Sequence, residues 1–365
     1  MYPHVSPHLE YLMIQFHNTD RPAPLYIREG LTRYLKSRPD RPDLLSEAAV
    51  AALSDFERAA YNRARIVFLS GGILVNTPQL KQARATITQL LAENLGRNSG
   101  HHGLMLSADS TLGKTTISKA LMTYIFTMYQ RQFPDFETHD HVPVVYVEVP
   151  AGCTGKLLMA AFARFFGMTI ARSDTMDNIR HRVVGALNAA GTQLIVVDEL
   201  HNLSASNHGN GESVDVLKAL HNQVPATFIY AGIGLNTGEL LGGTRGAQIS
   251  ARFTTIELTR FTLSDTEHAK TWRGIVQQFE KALPLTHHEP GTLVALSNYL
   301  HQRTNGSIGS LGRLITGAAI DLIVNPNGRP ESITKELLDS RTIDVAAETA
   351  FLRTTARTAK KNGTN

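Results

Sequence analysis

A single cysteine, Cys153, leaves this chain of 365 residues with no partner for an internal disulfide, a scarcity that fits a reducing cytoplasm. Cys153 itself reads as a small loop residue and not as a nucleophile. No apolar run approaches the roughly 18–20 residues that cross a bilayer. The opening Met1-Tyr2-Pro3-His4 has neither the basic start nor the apolar stretch of a signal peptide. A cytoplasmic protein with no membrane partner is therefore expected. An excess of one charge is also missing, since the formal net charge is only +4. That balance neither requires nor excludes nucleic acid, though it suits an anionic partner better than a cationic one.

What is present is an ordinary globular mixture, 42% hydrophobic and 19% charged, able to bury a sizeable core in one or two domains. Residues 1–98 carry the proline-rich connections Arg21-Pro22-Ala23-Pro24 and Arg38-Pro39-Asp40-Arg41-Pro42. They also predict two helices, about Leu45–Ile66 and from Thr77-Pro78 to about Asn94, the latter opened by a capping threonine and a first-turn proline. From His101 to Arg260 the pattern alternates. Short apolar or β-branched runs at Leu104–Leu106, Val142–Val149, Leu194–Val197, Thr227–Ala231 and Thr254–Leu258 read as strands. Between them Thr115–Gln132, Gly155–Phe166, Met176–Ala190 and Ser213–Gln223 read as helices, which argues for a mostly parallel sheet with helices on both faces. After Phe261 only helices are expected, at Ser264–Leu283, Gly291–Arg303, Ser307–Ile323 and Ile333–Glu348. Asn325-Pro326-Asn327-Gly328 forms a turn-rich break among them. The tail from residue 349 is basic, with Arg353, Arg357, Lys360 and Lys361.

The first expected strand runs into Ala108-Asp109-Ser110-Thr111-Leu112-Gly113-Lys114-Thr115-Thr116, and a helix follows. Phosphate chemistry needs this order, because N–H groups at a helix start and the helix dipole both favour an anion. Lys114 is placed to reach the β- and γ-phosphates of ATP, and the Thr115 hydroxyl to coordinate Mg²⁺. The match to Gly-x-x-x-x-Gly-Lys-Ser/Thr is imperfect, since Ala108 stands where the leading glycine belongs. An alanine is costly there only if the backbone needs positive φ.

About 80 residues later, Gln193-Leu194-Ile195-Val196-Val197-Asp198-Glu199 describes a buried strand that delivers two carboxylates at its C-terminal end. Ligands in such sheets lie outside those ends. Asp198 is the candidate for the magnesium shell and Glu199 for the general base that polarises water. Alternation along a strand sends the two side chains to opposite faces, so sharing a site requires a turn after Asp198. His201, two residues on, reads more readily as packed or solvent-facing than as a coupling group.

With both motifs placed, the chain resembles the TniB/TnsC family of AAA+ ATPases that regulate DNA transposition. The resemblance runs from about Thr77 to Leu338. Its carriers are Val145-Tyr146-Val147-Glu148-Val149-Pro150, Asp198-Glu199-Leu200-His201-Asn202-Leu203, Ile249-Ser250-Ala251-Arg252-Phe253 and Thr304-Asn305-Gly306-Ser307-Ile308-Gly309. It implies a P-loop NTPase core (residues 99–260), a C-terminal helical lid (261–348) and a helical N-terminal extension (1–98). It also implies an ATPase that assembles on double-stranded DNA as a homo-oligomeric ring or helical filament, with a transposase and a target-selection protein as partners.

By the same resemblance Arg252 looks like an arginine finger serving a neighbouring subunit, with a structural salt bridge as the competing reading. Arg313 resembles a sensor of nucleotide state, and Arg303 lies close to it in sequence. Lys156, in the loop after the second strand, is the candidate DNA-backbone contact, against a merely solvated lysine. Ala231-Gly232-Ile233-Gly234 lacks the polar side chain that usually senses the γ-phosphate, so slow hydrolysis is expected. Two readings compete: a loader or helicase-associated ATPase of replication or phage DNA metabolism, and a weakly hydrolysing ATP-binding interaction module.

Overall fold

The computed structural model describes residues 21–22, 24–203, 210–235, 250–326 and 328–352. Met1-Tyr2-Pro3-His4, Ala23, Ile249, Asn327 and the basic residues Arg353, Arg357, Lys360 and Lys361 lie outside them. Among the described residues, four helices precede the first strand: α1 (Arg28–Lys36), α2 (Glu47–Ala52), α3 (Asp55–Gly71) and α4 (Pro78–Asn94). The single helix expected over Leu45–Ile66 is thus two. Ser54 is the reason, because its hydroxyl accepts from Glu57 N while the Glu57 carboxylate accepts from Ser54 N. This capping box satisfies orphan donors and starts a new helix inside a continuous apolar pattern.

Then follow β1 (Gly103–Ser107), α5 (Lys114–Gln132), β2 (Val144–Glu148), α6 (Gly155–Phe165), α7 (Met176–Ala189) and β3 (Leu194–Asp198). After them come α8 (Asn210–Gln223), β4 (Thr227–Gly232) and β5 (Phe253–Glu257). Next come α9 (Thr266–Ala282), α10 (Thr292–Ala295), α11 (Ser297–Thr304), α12 (Ile308–Val324) and α13 (Lys335–Asp339), and residues 345–352 are helical again, so the single helices expected over Gly291–Arg303 and Ile333–Glu348 are each broken.

These elements form two compact units. In the first, residues 22–37 and 78–259 build a five-stranded parallel sheet in the order β2-β3-β4-β1-β5. Every residue of β1, β3 and β4 is buried, as central parallel strands covered on both faces must be. Gly103 is required at the start of β1, since a Cβ there would fall 2.3 Å from the Phe253 ring. Helix α4 buries Leu80, Ala83, Ile87 and Leu90, one face at helical spacing, and lies against α5 and β1.

In the second unit, residues 38–77 group with those from 260 onward. Its core gathers Leu69, Trp272, Ile275, Phe279, Leu311, Leu314 and Leu322. Trp272 is fully buried and spends its indole N–H on Ser297 O at 2.8 Å, as a buried tryptophan should. Among the described residues no single helix is long and apolar enough to cross a membrane.

Candidate functional site

The C-terminal ends of β1, β3 and β4 meet in one place. After β1, residues 108–113 turn sharply into α5, and Thr111 (φ 66°) and Gly113 (φ 93°) take left-handed backbone there. Ala108 is not among the positive-φ residues, so the missing leading glycine costs no strain. Its N–H donates to Gly232 O at 3.2 Å, tying the loop to the end of β4. Leu112 is buried, while Asp109, Ser110, Thr111 and Thr116 are exposed. Gly113 occupies the N-cap of α5 and offers no side-chain cap. The first N–H groups of a long helix are therefore left for an anion.

Lys114 is buried, and its Nζ donates to Ala108 O at 2.8 Å and Asp109 O at 3.1 Å. Burial holds this ammonium below the usual lysine pKa, while the charges of Glu199, Asp198 and Asp109 act in the opposite sense. Thr115 Oγ1 donates to Asp198 Oδ2 at 3.2 Å. Tyr146, on β2, donates to the same oxygen at 3.1 Å, and Asp198 Oδ1 accepts from Glu199 N at 2.9 Å. Asp198 is thus fully buried and fixed from three sides. Burial pushes the Tyr146 phenol well above its ordinary range, and the Asp198 charge adds to the effect.

The turn demanded after Asp198 is made by Glu199 itself, at φ 56°, a conformation that costs a non-glycine residue about 1–3 kcal/mol. A 3₁₀ turn over Leu200–Asn202 follows. Glu199 then lies near enough for its charge to act on Lys114. A hydroxyl and a carboxylate oxygen in mutual contact beside an uncapped helix start suit a hard, oxygen-seeking cation. Mg²⁺ takes one or two protein oxygens of this kind and completes its shell with phosphate and water. The residues present fit ATP with Mg²⁺.

Arg252 is not brought to this place. It precedes β5, where its carbonyl accepts from Gly103 N at 3.0 Å and its Nη1 donates to Asn222 Oδ1 at 2.8 Å. Gly103 begins β1, and the phosphate loop leaves the other end of that strand, roughly 13 Å away by strand rise. Lys156 is exposed in the first turn of α6, where a cation opposes the helix dipole. Arg313 is exposed on α12 in the helical unit. Arg303 is committed elsewhere: it is buried, with both Nη atoms on the Glu348 carboxylate at 2.8 and 2.9 Å. Cys153 is buried, and burial lifts its thiol to about 11, an unreactive state.

Three participants escape a linear reading: Tyr146, Asn222 and the contacts of His201. Tyr146 reaches Asp198 because β2 and β3 pair with Glu148 opposite Asp198, putting Tyr146 on the face of Asp198 one period back.

A parallel sheet in this strand order, a phosphate loop after β1 and paired acids after β3 define an AAA+ P-loop ATPase. The chain belongs to the TniB family of transposition-associated AAA+ ATPases, for the model described as bacterial TniB protein matches residues 65–263, more than half of the chain. No curated protein matches it in sequence. In fold it is similar to the Aeropyrum pernix ORC1 protein, solved in complex with DNA, at a TM-score of 0.54 and 16% identity. That match covers 73% of this chain and 65% of the ORC1 chain, just under two thirds of its length. The Aeropyrum pernix ORC2 protein, solved with ADPNP and ADP, is similar at a TM-score of 0.56 and 15% identity, over 77% of this chain and 73% of that one. At such identities the likeness is one of fold.

Proposed function

We propose that this protein is an ATP-dependent, sequence-nonspecific DNA-binding regulator of transposition. It oligomerises on duplex DNA as a ring or helical filament and recruits a transposase, together with a target-selection protein where one exists. The observation that carries this reading is the placement of Arg252 at the far end of the sheet from Lys114. A guanidinium there cannot serve its own chain's phosphate loop, whereas a neighbouring subunit's loop can meet it.

In this reading Lys114 and the N–H groups at the start of α5 bind the β- and γ-phosphates. Thr115 and Asp198 hold Mg²⁺, which when bound neutralises charge on the phosphate oxygens. Glu199 accepts a proton from the attacking water, and Arg252 of the next subunit lies against the charge that develops. Tyr146 keeps Asp198 in register. Arg313 reports nucleotide state from the helical unit, and Lys156 neutralises a DNA phosphate without reading sequence.

Electron microscopy with duplex DNA, with and without a non-hydrolysable ATP analogue, tests the assembly: DNA-bound oligomers are expected only with nucleotide. Unrelated duplexes should bind alike at one salt concentration and weaken steeply as salt rises. Lys156→Ala should lower all affinities together and flatten the salt slope by about one unit. A strong preference for one sequence, or DNA-bound particles that ignore nucleotide, would sink the reading.

A further inference from the structure

His201 links the turn that bears Glu199 to the end of β4. Its Nδ1 accepts from Ile233 N at 3.2 Å, and its Nε2 lies 3.3 Å from Glu199 Oε2. The first contact settles the second. A backbone N–H aimed at Nδ1 requires a lone pair on that nitrogen, so the neutral ring carries its proton on Nε2, facing the carboxylate. The turn that bears His201 is also pressed against the end of β4, for a Cβ on Gly232 would stand 3.3 Å from His201 N. The end of β4 is bound in turn to the phosphate loop through Ala108 N to Gly232 O at 3.2 Å, and to the end of β1 through Leu235 N to Ser107 Oγ at 3.1 Å.

We propose that His201 is a positioning residue that orients Glu199 and couples it to the end of β4, where Ile233 offers a backbone N–H in place of a polar side chain. The inference rests on the reading of Glu199 as general base and specifies how that base is governed. Glu199 is held in a left-handed turn, so its side-chain direction is not set by strand geometry. The Nε2–H, 3.3 Å from Oε2, attracts that oxygen by charge and leaves Oε1 for a water. Any shift of the β4 end, through the phosphate loop or the Ile233 N–H, then moves the base. Nucleotide binding itself needs none of this.

The test is steady-state ATP hydrolysis by the full chain on duplex DNA, alongside direct titration with a fluorescent ATP analogue. His201→Ala should lower kcat about tenfold, the order expected for losing one polar contact to a charged group, with KM and nucleotide affinity unchanged. His201→Gln, whose amide N–H overlays Nε2, should recover most of that loss. His201→Asn, which overlays Nδ1 only, should not. Imidazole ¹⁵N shifts of the wild-type chain supply a readout independent of turnover: the Nε2–H tautomer is expected, with His201 signals that move in Glu199→Gln. Wild-type turnover that vanishes in Glu199→Gln but is unchanged in His201→Ala overturns the positioning role alone. An Nδ1–H tautomer overturns it as well. Wild-type turnover that survives Glu199→Gln overturns the general-base reading, and with it the role of His201.

Discussion

Lys114 keeps a desolvated ammonium against two loop carbonyls, an arrangement that an incoming polyphosphate would replace with a stronger one. Truncation to alanine removes two hydrogen bonds to a charged donor and also removes the cost of burying that donor, so the empty protein should stay folded. ATP binding should not survive. Lys114→Ala is expected to melt within a few degrees of the parent and to show no heat of ATP binding by calorimetry. Retained ATP affinity would overturn the assignment of the loop. Glu199→Gln makes the complementary point: it keeps size and hydrogen bonding but cannot take a proton. A positioned general base contributes about 10²–10⁴-fold in rate. Turnover should fall by that order while ATP stays bound and DNA-bound assemblies live longer, as read by dissociation after dilution.

At the scale of elements, the helical unit rests on a buried ion pair that spans the chain. Arg65 on α3 is buried and grips Glu331 through both Nη atoms, at 2.6 and 3.0 Å, and Glu331 also accepts from Thr286. Burial alone would raise the Glu331 pKa, but the Arg65 and Thr286 hydrogen bonds outweigh it and hold the carboxyl below the ordinary glutamate value. A depressed carboxylate pKa gives stability that is present above the unfolded value and lost as pH falls through the folded one. Acidification should therefore destabilise this unit below the ordinary glutamate range. Glu331→Gln should cost about 2 kcal/mol at neutral pH and flatten that acid dependence, measured by urea unfolding at a series of pH values. An unchanged acid profile would show that the pair does not matter.

The strands were legible within a residue or two of their ends because continuous apolar runs between loops leave little choice. The phosphate loop and the acidic pair were legible for the same reason, each being local in sequence. The split of α2 from α3 was not, since the capping box at Ser54 hides inside an unbroken apolar period. Helix α1 was missed altogether: it is nine residues long and has no side-chain cap. Tyr146 on Asp198 depends on strand register across 52 positions, and Arg65 on Glu331 on a contact across 266. No periodicity carries such information.

At the scale of the whole molecule, the division between Lys114 and Arg252 makes a claim about how copies associate. Arg252 is held by Asn222 beside the start of β1, and the phosphate loop leaves the opposite end of that strand. A head-to-tail contact, one surface meeting a different one on the next copy, is the kind that closes into rings or runs on as filaments. Arg252→Ala should then stop hydrolysis and weaken the ATP-bound interface, giving shorter assemblies, whereas Glu199→Gln lengthens their life. Mixing separates the two halves of the site. Lys114→Ala chains cannot bind ATP but still present Arg252. Arg252→Ala chains bind ATP but present no guanidinium. Neither hydrolyses alone, yet together they form an intact pair wherever an Arg252→Ala loop faces a Lys114→Ala neighbour. Random mixing of equal amounts makes about one interface in four of that kind, so up to about a quarter of the parental rate should return, and titration of one variant into the other should trace a maximum near equality. Complementation that never appears, or Arg252→Ala chains that assemble as the parent does, would show that Arg252 does not act on a neighbouring subunit.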